Sequence, residues 1–215
     1  MTELSPIPSP VERVMMLAPV IPVLVIDDLD HALPIAEALV AGGLPALEVT
    51  LRTPCAIDAI KVMKQVPGAV VGAGTVLNPD DLGRALDAGA QFIVSPGLTP
   101  KLGEAMARSG APILPGTANA ADIMLALELG FTRLKFFPAV ASGGTPALKA
   151  IAGPFASVRF CPTGGITQDT APEWLALPNV LCVGGSWMVP KIEAGQRPDT
   201  AQIETRARAA AGLAR

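Results

Sequence analysis

Lys135 stands in the middle of a short apolar run, Arg133-Leu134-Lys135-Phe136-Phe137-Pro138. Bulky apolar and aromatic residues over so short a span read as a buried strand, Arg133–Phe137, and the proline marks its end. Alternation puts Lys135 and Phe137 on one face, with Leu134 and Phe136 on the other. An amine forced into apolar surroundings loses hydration, which favours the neutral, nucleophilic form over the ammonium. The same lysine could instead extend its amine to water from a strand end. Its neighbours in the fold decide between the two.

Other strand ends supply candidates. In the run Ala46–Leu51, Leu47, Val49 and Leu51 share one face, while Glu48, Thr50 and Arg52 share the other. Taken alone, Glu48 and Arg52 read equally as a buried structural ion pair or as a working carboxylate and guanidinium. Gly72-Ala73-Gly74-Thr75 puts a hydroxyl at a strand end beside small residues, where a ligand can approach the backbone closely. Two later strands run into Thr163-Gly164-Gly165 and Gly184-Gly185-Ser186. Glycine-rich loops there, with a helix N-terminus beyond, can hold phosphate on free backbone N–H groups. A lysine with a carboxyl partner and no metal ligands suits imine chemistry on a ketone. An arginine offers a bidentate grip on a carboxylate. A 2-oxo acid with a distal phosphate would satisfy all of these groups.

The elements that must position them repeat along the chain. Ser9-Pro10-Val11-Glu12 is a capping box with proline at the first helical position, so a helix is expected over Pro10–Leu17. Strand–helix pairs follow: Val20–Ile26 with Asp30–Val40, Ala46–Leu51 with Cys55–Val66, and Ala69–Gly74 with Pro79–Ala88. Phe92–Ser95 pairs with Pro100–Ser109, Pro112–Leu114 with Ala120–Leu129, and the lysine strand with Thr145–Ala152. Val158–Cys161 pairs with Asp169–Ala176, and Val180–Val183 comes last, with helices expected over Met188–Glu193 and Thr200–Leu213. Eight parallel strand–helix units favour a closed (β/α)8 TIM barrel over an open sheet. A doubly wound sheet would carry a glycine-rich turn after its first strand, and Val20–Asp28 contains no glycine. The expected organisation is one α/β domain over 1–215: a lead-in over 1–19, the barrel over 20–190 and a helical tail over 191–215.

Composition agrees with such a chain. Of 215 residues half are hydrophobic and 16% charged, with 21 glycines and 22 prolines. Fully buried parallel strands raise the apolar share, and strand-to-helix turns use the glycine and proline. A net charge of -3 offers no basic footprint for nucleic acid or an anionic membrane. Cys55, Cys161 and Cys182 are an odd number without close spacing, so they read as thiols in a reducing, cytoplasmic setting. A single histidine, His31, excludes His-rich zinc sites, and neither metal nor other cofactor is expected. Glu3 and the prolines near it argue against a secretory leader, and Val14–Ile26 is too short and proline-broken to span a bilayer.

These motifs resemble the 2-keto-3-deoxy-6-phosphogluconate (KDPG) aldolase and 4-hydroxy-2-oxoglutarate (KHG) aldolase family. The resemblance runs from about Pro22 to Pro190 and is carried by LEVTLRT (Leu47–Thr53), VGAGTVLN (Val71–Asn78), SPG (Ser95–Gly97), KFFPA (Lys135–Ala139), IAGPF (Ile151–Phe155), RFCPTGGI (Arg159–Ile166) and GGSWMVP (Gly184–Pro190). It implies a barrel, a homotrimer and reversible cleavage of KDPG to pyruvate and D-glyceraldehyde 3-phosphate. By resemblance Lys135 forms the imine and Glu48 is the general acid/base. Arg52 and Thr75 would grip the pyruvyl carboxylate, and Pro96 and Phe137 would line the pyruvyl pocket. Thr163, Gly164, Gly165, Gly185 and Ser186 would hold the phosphate end. The loop Pro115-Gly116-Thr117-Ala118-Asn119 departs from the family after Gly116. Three alternatives stay open at this stage. One is a sister aldolase on 4-hydroxy-2-oxoglutarate or the galactonate epimer, another a phosphosugar isomerase or epimerase, and the last a non-catalytic barrel in which Lys135 and Glu48 are a structural pair.

Overall fold

The computed structural model describes residues 8–193 and 195–214; Glu3 and its neighbours lie outside them. The chain opens with α1 (Pro10–Met16), capped by the Ser9 side chain, which accepts from the Glu12 N–H. Parallel strands then alternate with helices: β1 (Val20–Leu24), α2 (Ala32–Ala41), β2 (Ala46–Thr50), α3 (Ala56–Met63), β3 (Val70–Gly74), α4 (Pro79–Asp87), β4 (Ile93–Val94) and α5 (Pro100–Ser109). A short 3-10 turn, Leu29–His31, precedes α2. After α5 come β5 (Ile113–Leu114), β6 (Gly116–Thr117), α6 (Ala120–Glu128), β7 (Arg133–Phe136), α7 (Gly144–Ala152), β8 (Arg159–Pro162), α8 (Ala171–Leu175), β9 (Val183–Gly185) and α9 (Thr200–Ala211).

The strands close on themselves. One curled sheet runs β5-β4-β3-β2-β1-β9 and another runs β6-β7-β8. β5 and β6 are two halves of one barrel strand, interrupted at Pro115, which has no N–H to give the ladder. On the other side, β8 meets the approach to β9 through the bridges Phe160↔Val180 and Thr163↔Gly184. The result is the expected (β/α)8 barrel with its extra N- and C-terminal helices. None of its helices among the described residues is long and apolar enough to cross a membrane.

Two apolar layers hold it. Outward-facing residues such as Leu47, Val49, Leu134 and Phe136 pack under the helices in one large core. Inward-facing Ile21, Ala46, Phe92, Val94, Leu114, Cys161 and Cys182 form a second, which Val14 and Met15 of α1 close from below. Arg133 Nη2 donates to Glu12 Oε2 at 2.9 Å and ties α1 to the start of β7. The barrel interior is therefore apolar at the N-terminal ends of the strands, and its polar residues collect towards the other end. None of the three cysteines is in a disulfide among the described residues, and Cys161 and Cys182 are buried as expected.

One expected element is absent: Met188–Glu193 is turn and irregular backbone, not helix. Pro190 cannot donate a helical hydrogen bond and pushes Val189 out of the helical region. The last strand also lies further along than Val180–Val183, at Val183–Gly185, because residues 180–182 make only a bridge to Phe160.

Candidate active site

Glu48 on β2 and Lys135 on β7 belong to strands that do not pair, so they meet across the barrel interior. Lys135 Nζ donates to Glu48 Oε1 at 3.1 Å, and the two side chains are 6% and 4% exposed. Both ions have given up water, and only their mutual attraction and hydrogen bond offset that loss. The carboxylate reaches this position because Gly74 on β3 has no side chain. A Cβ built at Gly74 would stand 2.3 Å from Glu48 Oε1. The ammonium also lies 5.3 Å from the centre of the Phe137 ring, within the range of a cation–π attraction.

The backbone around the lysine is held from the neighbouring strand. The Lys135 N–H donates to the Pro115 carbonyl at 2.9 Å. Thr117 Oγ1, fully buried, donates to the Lys135 carbonyl at 3.1 Å. The Gly116 N–H donates to Ser95 Oγ at 3.3 Å. Asn119 caps α6 by accepting from the Asp122 N–H. The loop over Pro115–Asn119 thus backs the lysine strand, with the Thr117 hydroxyl turned to the main chain and not to the cavity. Nothing in the sequence marks Thr117 for this, because the contact exists only once β6 and β7 pair.

On one side of the mouth, exposed Arg52 follows β2 and half-buried Thr75 follows β3. Arg52 Nε donates to Thr75 Oγ1 at 3.3 Å. Thr75 holds φ at 57°, the left-handed region that a β-branched residue rarely adopts. Pro96 and Phe137 stand half-buried at the ends of their strands.

On the other side, buried Thr163 leans over Gly184. A Cβ at Gly184 would meet Thr163 Oγ1 at 2.2 Å, a close approach that pairs the ends of β8 and β9. Gly164 and Gly165 follow with φ of 103° and 80°, turning the chain sharply out of the barrel. Ser186 is exposed at the mouth. Gly185 faces away from it, under the Trp187 ring, so only its backbone is available to a ligand. Beside Ser186 opens a groove of about 650 Å³ lined by Val23, Val25, His31, Val189 and Lys191 among others. Val23 is the register partner of Glu48, so the groove begins next to the carboxylate strand.

Glu48 and Lys135 lie within their strands, and the other residues singled out from the sequence lie at or just past the C-terminal ends of theirs. Direct contacts join Lys135 with Glu48 and Phe137, and Arg52 with Thr75. The arrangement offers a buried amine, a carboxylate within proton-transfer distance, a cationic rim and a glycine-rich distal end.

The chain is similar to known proteins over most of its length. Residues 11–206 match the model of the aldolase family described as KDPG and KHG aldolase. The 2-dehydro-3-deoxy-phosphogluconate aldolase of Zymomonas mobilis is 61% identical over 205 residues, covering 95% of this chain and 97% of that protein. The KHG/KDPG aldolase of Escherichia coli K12 is 54% identical over 187 residues, covering 86% and 88%. A crystal structure of the Zymomonas mobilis ZM4 enzyme with 3-phosphoglycerate superposes with a TM-score of 0.92 at 60% identity, covering 95% of this chain and 96% of that one. A Legionella pneumophila KDPG aldolase with pyruvate captured at low pH as a covalent carbinolamine gives 0.90 at 47% identity, covering 94% and 98%. The chain belongs to the KDPG and KHG aldolase family.

Proposed function

We propose that this protein is an imine-forming aldolase that cleaves KDPG reversibly to pyruvate and D-glyceraldehyde 3-phosphate, the lyase step of the Entner–Doudoroff pathway. The observation that carries the reading is the buried 3.1 Å contact between Lys135 and Glu48 at the mouth of the barrel. The carboxylate is placed to take a proton from the ammonium, freeing the amine to attack the C2 ketone. Glu48 gives that proton to the C2 oxygen, which leaves as water, so the carboxylate is restored and a protonated imine forms that accepts the electron pair as the C3–C4 bond breaks. Glu48 removes the proton of the C4 hydroxyl in that step and returns one to C3 of the enamine. Water hydrolyses the imine and releases pyruvate.

In this reading Arg52 and Thr75 hold the pyruvyl carboxylate, and Pro96 and Phe137 wall the pocket around the methylene. Thr163, Gly164, Gly165, Ser186 and the backbone of Gly185 receive the phosphate end. The carbinolamine of the Legionella pneumophila relative and the 3-phosphoglycerate of the Zymomonas mobilis relative support both halves of that assignment. The barrel over 20–190, with its lead-in and tail, acts as one domain. The reading includes a homotrimer in the cytoplasm. Cleavage of unphosphorylated 4-hydroxy-2-oxoglutarate is its natural side activity, because the amine and the carboxylate grip are common to both substrates.

Incubation with pyruvate and borohydride, followed by intact mass and peptide mapping, tests this. A reduced pyruvyl adduct on Lys135 is the expected result. A folded protein with no adduct would remove the imine mechanism, and an adduct without KDPG cleavage would leave the chemistry and change the substrate.

A further inference from the structure

Arg206 lies on α9, far along the chain from every strand end. Its Nη1 nevertheless donates to the Trp187 carbonyl at 3.0 Å, in a partly buried position. Trp187 is the residue after Ser186 and forms the outer cover of β9. Its ring fills the space beside Gly185 so closely that a Cβ there would stand 1.8 Å from a ring carbon. The indole Nε1 is itself buried without a hydrogen-bond partner among the described residues. The ring packs, but its polar atom anchors nothing, and the directional hold on this residue is the arginine on its carbonyl. The Ser186 carbonyl accepts from the Val189 N–H at 3.3 Å, a long bond within the same turn. With no helix over 188–193, that turn lacks the hydrogen-bonded ladder that would otherwise fix it.

The arginine is in turn well placed. Ala207, its neighbour, sits where Gly42 leaves room at the end of α2; a Cβ at Gly42 would be 2.4 Å from the Ala207 Cβ. Ile203, Ala207 and Ala210 bury the inner face of α9 against the barrel. Among the described residues no carboxylate pairs with Arg206, so its charge is spent on the Trp187 carbonyl.

We propose that Arg206 is a positioning residue for the distal end of the site, and that α9 thereby sets the preference for phosphorylated over unphosphorylated substrate. A held carbonyl at Trp187 fixes the peptide plane that follows it and restricts the one before it, which joins Ser186 to Trp187. A phosphate gripped by Ser186 and adjacent N–H groups needs those donors aimed before it arrives, whereas the pyruvyl half touches none of them. The inference rests on the assignment of Ser186 to the phosphate end.

The test compares R206M and R206K with the parent protein on KDPG and on 4-hydroxy-2-oxoglutarate. Loss of a charge-assisted hydrogen bond predicts that R206M raises KM for KDPG about tenfold with kcat near the parent value. The kcat/KM for 4-hydroxy-2-oxoglutarate and the borohydride-trapped pyruvate adduct stay within about twofold, since neither uses the distal donors. R206K, which keeps the charge and one donor, falls between. Equal losses on both substrates, or an unchanged KM for KDPG in a folded R206M, would overturn the role of Arg206. A parent protein with no preference for KDPG would instead overturn the phosphate assignment itself.

Discussion

Gly74 on β3 is the seat of the Glu48 carboxylate: a methyl group added there would stand 2.3 Å from the oxygen that accepts from Lys135. Glu48 Cγ and Cδ would lie 2.6 and 2.8 Å from it as well, so the whole buried side chain must shift before the sheet does. Gly74→Ala is expected to fold with a loss of about 1–3 kcal/mol, because the displaced carboxylate strains its buried contact with Lys135. It should lower kcat for aldol cleavage by about a hundredfold, by moving the proton-transferring group by an ångström or more. Thermal unfolding and steady-state kinetics on the same preparation check both halves. A loss of stability well beyond that range would mean that the backbone had moved instead.

Removing one member of the buried pair leaves the other charged and desolvated. Lys135→Met should cost about 3 kcal/mol of unfolding free energy, and Lys135→Met with Glu48→Leu should recover most of it. Denaturant unfolding of both variants measures the difference. Glu48→Gln should still reach the trapped pyruvate adduct on Lys135, but more slowly because solvent must free the amine, while losing turnover; unchanged turnover would remove Glu48 from the reaction.

Thr75 carries opposite signs for stability and binding. Its left-handed backbone costs on the order of 1 kcal/mol, which glycine relieves while adding a comparable entropy to the unfolded chain. Thr75→Gly should therefore melt close to the parent temperature. Its hydroxyl is lost to Arg52, however, so KM for the 2-oxo acid should rise several-fold, while Thr75→Ser keeps it. A Thr75→Ser variant as weak as Thr75→Gly would show that the backbone, not the hydroxyl, matters.

Gly42 offers a route to the distal end that touches no site residue. Gly42→Ala drives a Cβ into Ala207 and towards the Glu204 carbonyl, an overpacking worth about 1–3 kcal/mol. The displaced α9 should loosen Arg206, so KM for KDPG should rise in parallel with R206M. Unfolding curves and substrate comparison on Gly42→Ala decide it.

Much of this was legible in the chain. Alternation around Lys135 and Glu48 assigns both to the inward face, and the outer core under the helices contains Leu47, Val49, Leu134 and Phe136 as their parity requires. The polar caps of α4, α5 and α6, with a proline starting α4 and α5, read directly as helix boundaries. What was not legible depended on contacts distant in sequence. Met188–Glu193 has helical composition, but Pro190 breaks it and the turn is braced instead by Arg206. Thr117 and Gly74 acquire their roles only when neighbouring strands pair, so neither announces itself among the many threonines and glycines. Pro115 splits a barrel strand in two, and Gly116-Thr117 beyond it carries no strand pattern of its own.

The bond from Arg133 to Glu12 spans 121 residues, and Val20 of β1 finds its partner in Val183 of β9. On a ribosome adding about 5–20 residues per second, β1 therefore waits on the order of ten seconds or more with one edge unpaired. The helix that stops the barrel from below cannot be locked in place until β7 has emerged. During that interval the growing chain is an open, curling sheet with an apolar lining, the form in which edge strands find wrong partners. Faults in synthesis or chaperoning should thus strike the first strand and the last together, long before any substrate is met.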